Sequence, residues 1–222
     1  MAKQALIEHR PWLLASVAAA VAFYFLNDNP IGEVWLIALK GAGVGLLATY
    51  ALRRAGGTLD GAIFVLALTL AAAGDMVLEL DFQAGGVLFF ASHLVAAIFY
   101  LRQRRARTSP SQKLLAAALL IGTPLVSYLL SLKPEIALYS AALGAMAATA
   151  WLSRFPRYRV GTGAVLFIVS DWLIFSRMGP ISLEPLPTYL IWPLYYAGQL
   201  MIATGVVQTL RWETGRAERP VR

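Results

Sequence analysis

The sequence predicts an all-α integral membrane protein, a polytopic helical bundle of eight transmembrane spans, and three observations carry that prediction. Hydrophobic residues make up 59% of the 222-residue chain and charged residues only 14%, a balance that cannot cover a water-facing surface. Apolar runs of about 20 residues, the length that crosses a hydrocarbon core ~30 Å thick, recur along nearly the whole sequence. The alternating pattern of barrel strands is missing, and open strands in lipid would leave backbone groups unpaired, so helix is the state that remains.

Span 1 covers residues 12–26, where WLLASVAAAVAFYFL follows Lys3 and Arg10. Its start resembles a signal peptide, but no small-residue cleavage site follows, so the run reads as a retained span. Span 2, residues 33–52, contains GAGVG at Gly41 to Gly45. This is read as a small-residue packing stripe, since the lysine and the preceding strand of a phosphate loop are absent. Spans 3 and 4 occupy 59–80 and 84–101, spans 5 and 6 occupy 113–132 and 135–153, and spans 7 and 8 occupy 161–177 and 188–210. Prolines fall mostly between spans, as at Pro30, Pro110, Pro134, Pro156, Pro180, Pro185 and Pro187. Pro124 and Pro193 lie inside spans and are expected to kink them. The longest polar stretches, Arg102 to Lys113 and the tail from Arg211, leave no room for a soluble domain, so residues 1–222 read as one membrane domain.

Sixteen of the nineteen Lys and Arg residues lie at the N-terminus, at the C-terminus, or in the 2/3, 4/5 and 6/7 connections. The positive-inside rule places these segments, and with an even span number both termini, in the cytoplasm of an inner cell membrane. The formal net charge of +7 is therefore a topology signal and a means of contact with membrane lipids, and no nucleic-acid partner is called for. Cysteine is absent, which excludes disulfides, a thiol nucleophile and thiolate metal sites. With His9 and His93 as the only histidines, three-histidine zinc chemistry is excluded, although a carboxylate metal site is not. No metal or cofactor is called for. Ser92 adjoins His93 and so points elsewhere on a helix, and no G-x-S-x-G elbow exists, so Ser-His-Asp catalysis is unsupported.

Ionisable side chains inside spans cost about 2.5 kcal/mol or more each, and they normally face the bundle interior and carry function. Here they are Lys40 in span 2, Asp75 and Glu79 in span 3, His93 in span 4 and Asp171 in span 7. Span 8 adds Tyr195, Tyr196 and Gln199, while spans 5 and 6 carry no Asp, Glu, Lys, Arg or His away from their ends. At 1.5 Å per residue from the outer end of each span, Asp75 lies ~8 Å deep and Asp171 ~9 Å. Lys40 and Tyr195 come to ~10 Å, His93 to ~14 Å and Gln199 to ~16 Å. These depths predict one polar cavity in the outer half, lined by spans 2, 3, 4, 7 and 8 and buttressed by spans 1, 5 and 6. Each residue also has a plainer reading. Glu79 sits at the membrane surface, Lys40 snorkels or pairs structurally, and His93 is a satisfied packing residue. On the same reading, Tyr195, Tyr196 and Gln199 form an aromatic belt with an interhelical hydrogen bond.

The motifs resemble those of the YhhN family of lysoplasmalogenase-like membrane proteins. LIALKG with Lys40 resembles its early span 2 lysine, and AAAGDMVLEL with Asp75 its small-Gly-Asp signature. FQAGGVLFFASHLV, carrying His93, resembles its phenylalanine-rich Gly-to-His stretch. GAVLFIVSDWLI, with Ser170 and Asp171, is similar to its Gly-x-x-Phe-x-x-Ser-Asp signature, and YYAGQL supplies its Tyr-Tyr-x-x-Gln. In order and spacing these motifs cover roughly residues 35 to 205. Ala96 stands where an aromatic commonly follows the histidine, and span 2 lacks the proline often found after the lysine. Both departures bear on pocket shape and neither removes a carboxylate.

The resemblance implies a lysophospholipid substrate, a lysoplasmalogen whose vinyl-ether bond is hydrolysed to a fatty aldehyde and a glycerophospho-alcohol. It implies acid/base catalysis by Asp75 and Asp171, with Lys40, His93, Tyr195, Tyr196 and Gln199 binding substrate and Glu79 and Ser170 as further site members. On the residues alone, two rivals stay open. A proton- or ion-coupled transporter uses Asp, Lys and His at similar depth, and a non-catalytic scaffold would tolerate loss of both aspartates.

Overall fold

The computed structural model describes residues 11–27 and 32–217, with side chains to Arg211. The readings made on Lys3, His9, Arg10, Pro30 and the two termini lie outside the described residues. Among the described residues, eight apolar α-helices follow in order: α1 (Pro11–Leu26), α2 (Glu33–Ala55), α3 (Leu59–Leu78), α4 (Phe82–Arg102), α5 (Pro110–Ser131), α6 (Pro134–Leu152), α7 (Thr162–Ser176) and α8 (Leu186–Ala217). A π-helical turn, Arg157–Gly161, leads into α7. Seven of these segments are long and apolar enough to cross a membrane, and α1 is a shorter apolar helix of 16 residues. The chain is thus a polytopic helical bundle. Large apolar side chains including Phe25, Val34, Leu59, Leu114 and Ile121 are exposed, as required where the surrounding solvent is hydrocarbon.

Packing divides the chain into two compact units, Met1–Ser92 and His93–Arg222. Composition gives no sign of this division, since the boundary falls inside the continuous helix α4.

In the first unit, small residues and local caps set the helix contacts. Thr58 caps α3 by accepting a 3.0 Å hydrogen bond from Gly61 N. Asp81 accepts from Ala84 N at 2.7 Å at the start of α4, where the positive end of the helix favours a carboxylate. The GAGVG stripe faces α3. A Cβ on Gly41 would stand 2.3 Å from Met76 Cγ, and one on Gly45 would meet Ala72 Cβ at 3.9 Å. Gly74 receives the ring of Phe89 in the same manner. Ser16 donates to Gly43 O, and Ser92 donates to Ala67 O at 2.8 Å. Each bond ties two helices and offsets the cost of holding a hydroxyl in apolar surroundings.

The second unit opens with an ordered connection. Gln103 O accepts from Arg154 N at 2.9 Å, and Leu152 O accepts from Arg105 N at 3.1 Å, joining the 4/5 and 6/7 connections through main chain. Ser109 and Gln112 form a capping box with Pro110 behind the cap, a strong helix start. Leu132, at φ 54°, ends α5 in the left-handed region, and Pro134 opens α6 two residues later, making a tight hairpin. Gly163 and Gly198 bring α7 and α8 together: a Cβ on Gly198 would lie 2.6 Å from Gly163 O.

Element ends differ from the sequence reading by up to several residues. Span 2, expected to end at 52, runs to Ala55; span 3, expected to reach residue 80, ends as helix at Leu78; span 5, expected from 113, begins at Pro110; and the last span, expected over 188–210, is helical from Leu186 to Ala217. Helical hydrogen bonding continues past the apolar run at the C-terminal end because water, unlike lipid, sets no limit on polarity there.

Candidate active site

In the second unit, four helices bring polar groups to one buried point. Asp171, in the middle of α7, is 5% exposed, and His93, on α4, is 2% exposed. Between them stands Tyr139 of α6. Its hydroxyl donates to Asp171 Oδ2 at 2.9 Å and lies 3.0 Å from His93 Nε2. A phenol has one proton. With that proton given to Asp171, the nitrogen facing Tyr139 must carry the imidazole proton, so the chain runs His93 Nε2–H to Tyr139 O–H to Asp171.

Aromatic rings fix this line from the side. His93 meets Phe167 edge-on at 5.0 Å between centroids and Tyr139 at 5.5 Å. Phe167 in turn meets Tyr195 at 5.0 Å, and Trp192 lies against both Tyr195 and Tyr196. Such edge contacts hold ring orientation and add about 0.5–1.5 kcal/mol each. Tyr195, Tyr196 and Gln199 are all buried, and Gly198 beside Gln199 permits the close α7–α8 approach that sets Tyr195 on Phe167. Behind Tyr139, Phe175 packs edge-on at 5.9 Å and belongs to a cluster with Leu130 and Ile136. Ser170 has a structural role: its hydroxyl donates to Ile191 O at 2.9 Å and fastens α7 to α8.

In the first unit, Asp75 is buried in α3 at 2% exposure. One turn further along, Glu79 caps the helix and forms an ion pair with Lys40 of α2. The side chain of Lys40 is 13% exposed and that of Glu79 37%. Lys40 Nζ also stands 5.6 Å over the ring of Phe23, a cation–π arrangement. Among the readings for Lys40, structural pairing with a carboxylate is what is seen, and the partner is Glu79.

Sequence reasoning gave span 6 only a buttressing role, because Tyr139 was not counted among the polar groups inside spans. Counted inward from residue 135, Tyr139 lies ~6 Å deep, close to the level of Asp171. A depth tally that included tyrosine in every span would have found it.

The YhhN family model matches residues 35–206. No curated protein and no solved structure matches the chain.

Proposed function

The chain belongs to the YhhN family, and from that membership we propose that it is a membrane-embedded hydrolase acting on the vinyl-ether bond of a lysoplasmalogen. Family-level likeness to lysoplasmalogenases supports the hydrolase class. The observation that carries the reading to particular atoms is the buried chain from His93 through Tyr139 to Asp171.

A vinyl ether is hydrolysed by proton transfer to the outer alkenyl carbon, which leaves an oxocarbenium ion at the carbon bonded to oxygen. Water adds to that carbon, loses a proton to a base, and the hemiacetal collapses to a fatty aldehyde and a glycerophospho-alcohol. One water is consumed; as the hemiacetal collapses, the protonated base gives its proton to the departing glycerol oxygen and the carboxylate left by the acid takes the hydroxyl proton, so both groups are restored. In this scheme Asp171 supplies the proton from Oδ1 while Tyr139 holds Oδ2, so the carboxyl presents one oxygen in one orientation. His93 fixes the Tyr139 hydroxyl. Asp75 is assigned the second carboxylate's role, stabilising cationic charge and accepting the proton from water, a division of labour also used by glycosidases. The buried face of Tyr195, Tyr196 and Gln199 receives the ether linkage. A lysolipid can keep its head group near the outer surface with its linkage ~8 to 16 Å below.

The test is aldehyde release by purified protein in detergent from matched alkenyl, alkyl and acyl lysolipids. Turnover of the alkenyl lipid alone is expected, with loss of nearly all of it in Asp171→Asn and in Asp75→Asn while both variants stay folded. Wild-type rates in either variant, or acyl cleavage in place of aldehyde release, would refute the scheme. The rival reading as a proton-coupled transporter requires a sealed compartment, and turnover in detergent separates the two.

A further inference from the structure

The 4/5 connection carries more order and more uncompensated charge than a topology signal needs. Its main chain is clasped to residues 152–154 on the neighbouring connection. Two arginines serve that clasp: Arg154 Nε donates to Gln103 Oε1 and its guanidinium stands 5.4 Å over Phe155, while Arg105 donates to Phe155 O at 3.4 Å. Three further cationic side chains of the connection serve no part of the clasp. Arg104, Arg107 and Lys113 are exposed, and among the described residues none of the three has an ion-pair partner. They surround an open cavity of about 660 Å³, completed by Arg105, Ala106 and Thr108. The capped N-terminus of α5, a 22-residue helix, opens at Pro110 beside it and adds its positive end to the same place.

We propose that this cavity binds the phosphate-bearing head group of an anionic phospholipid in the adjacent leaflet. The positive-inside rule counts basic residues wherever they fall in a loop and makes no demand on their arrangement. Here a fixed backbone sets three cations without an ion-pair partner among the described residues, and a helix N-terminus, around one cavity, the composition of an anion site. Position selects the lipid over a soluble phosphate. The loop joins the end of one membrane-crossing helix, Arg102, to the start of the next, Pro110, which puts the cavity at head-group level.

The experiment uses the full chain in neutral detergent and three probes: short-chain phosphatidic acid, phosphatidylcholine of the same chains, and inorganic phosphate. Lipid retention is read by native mass spectrometry and stabilisation by the thermal midpoint. Phosphatidic acid is expected to bind at least about tenfold more tightly than phosphatidylcholine, and the triple variant Arg104→Gln, Arg107→Gln, Lys113→Gln to lose at least about tenfold in that affinity. Lys133→Gln, which removes a cation elsewhere, should leave binding unchanged. Equal binding of the two lipids, or full binding by the triple variant, overturns the site. Inorganic phosphate giving the same shift as the lipid overturns the assignment to a lipid. If the triple variant is not recovered folded, Lys113→Gln alone decides, with at least a threefold loss expected and an unchanged affinity counting against the proposal.

Discussion

The hydroxyl of Tyr139 donates a 2.9 Å hydrogen bond to Oδ2 of Asp171, and this contact links a residue that sequence inspection selects to one that it passes over. The same hydroxyl reaches His93, so a single atom joins the two. Removing it takes one hydrogen-bond partner from a buried carboxyl and one from a buried imidazole. Tyr139→Phe should therefore lower stability by about 1–3 kcal/mol and, on the proposed activity, reduce kcat by at least about tenfold with a much smaller change in KM. Denaturation midpoints and initial rates of aldehyde release check the two parts separately. A normal kcat would show that the chain of hydrogen bonds is structural.

The close approach of α7 and α8 is tested by one glycine and a control. Gly198→Ala would place a methyl 2.6 Å from Gly163 O, whereas a Cβ on Gly122 of α5 meets nothing within 4 Å. Overpacking of a fixed helix pair costs about 1–3 kcal/mol, while Gly→Ala in an open helical position is neutral or stabilising by up to about 1 kcal/mol. Opposite signs are thus expected from the same chemical change, read as thermal midpoints in one detergent. Because the contact also seats Tyr195 on Phe167, Gly198→Ala should lower turnover beyond its effect on the folded fraction.

The helix assignments were legible because a membrane imposes one rule on every residue: about 20 apolar positions per crossing, with prolines and charges pushed to the ends. Asp75, His93 and Asp171 were legible for the same reason, since an ionisable group in such a run is conspicuous. Tyr139 was not, because its ring suits lipid and its hydroxyl matters only once α6 is placed against α7. The Lys40–Glu79 pair was half legible. The depths of ~10 Å and ~2 Å separate the two residues, and only the reach of the lysine stem closes the gap. The clasp between the 4/5 and 6/7 connections was invisible, since main-chain bonds between Gln103, Arg105, Leu152 and Arg154 leave no trace in side-chain identity.

Lys40 and Glu79 should behave as a coupled pair. Lys40→Met leaves a partly exposed carboxylate and Glu79→Gln leaves a mostly buried ammonium, so the second change should cost more stability than the first. The double variant should recover part of the loss, giving a coupling of about 0.5–3 kcal/mol in a double-mutant cycle. Additive effects would show that the pair contributes nothing. If Lys40 also contacts a lipid phosphate during turnover, Lys40→Met raises KM for the lysolipid where Glu79→Gln does not.

The orientation expected from the basic residues rests on where they are, and also on how the outlying ones are held. Of nineteen, only Lys40, Lys133 and Arg177 fall outside the segments assigned to the cytoplasm. Two of these three are tied down by carboxylates. Lys40 pairs with Glu79, and Arg177 donates from Nε to Glu184 Oε1 at 2.6 Å and from its terminal nitrogen to Thr188 at 2.7 Å. The Arg177 guanidinium holds the Glu184 carboxyl below the usual glutamate range, so the pair stays charged in neutral solution and opens only as the pH falls through that lowered value. On the other face, Arg104, Arg107 and Lys113 have no such partners among the described residues, and they retain the full cost of translocation. Reporter fusions at Arg54, Arg105 and Arg157 should therefore read as cytoplasmic, and those at Asp81, Lys133 and Glu184 as the opposite side. The fusion at Lys133 is the most informative, because the α5–α6 hairpin there is short and carries a cation. A cytoplasmic signal at that position would put α5 and α6 in the membrane as a re-entrant pair or not at all, and the eight-span topology would fail.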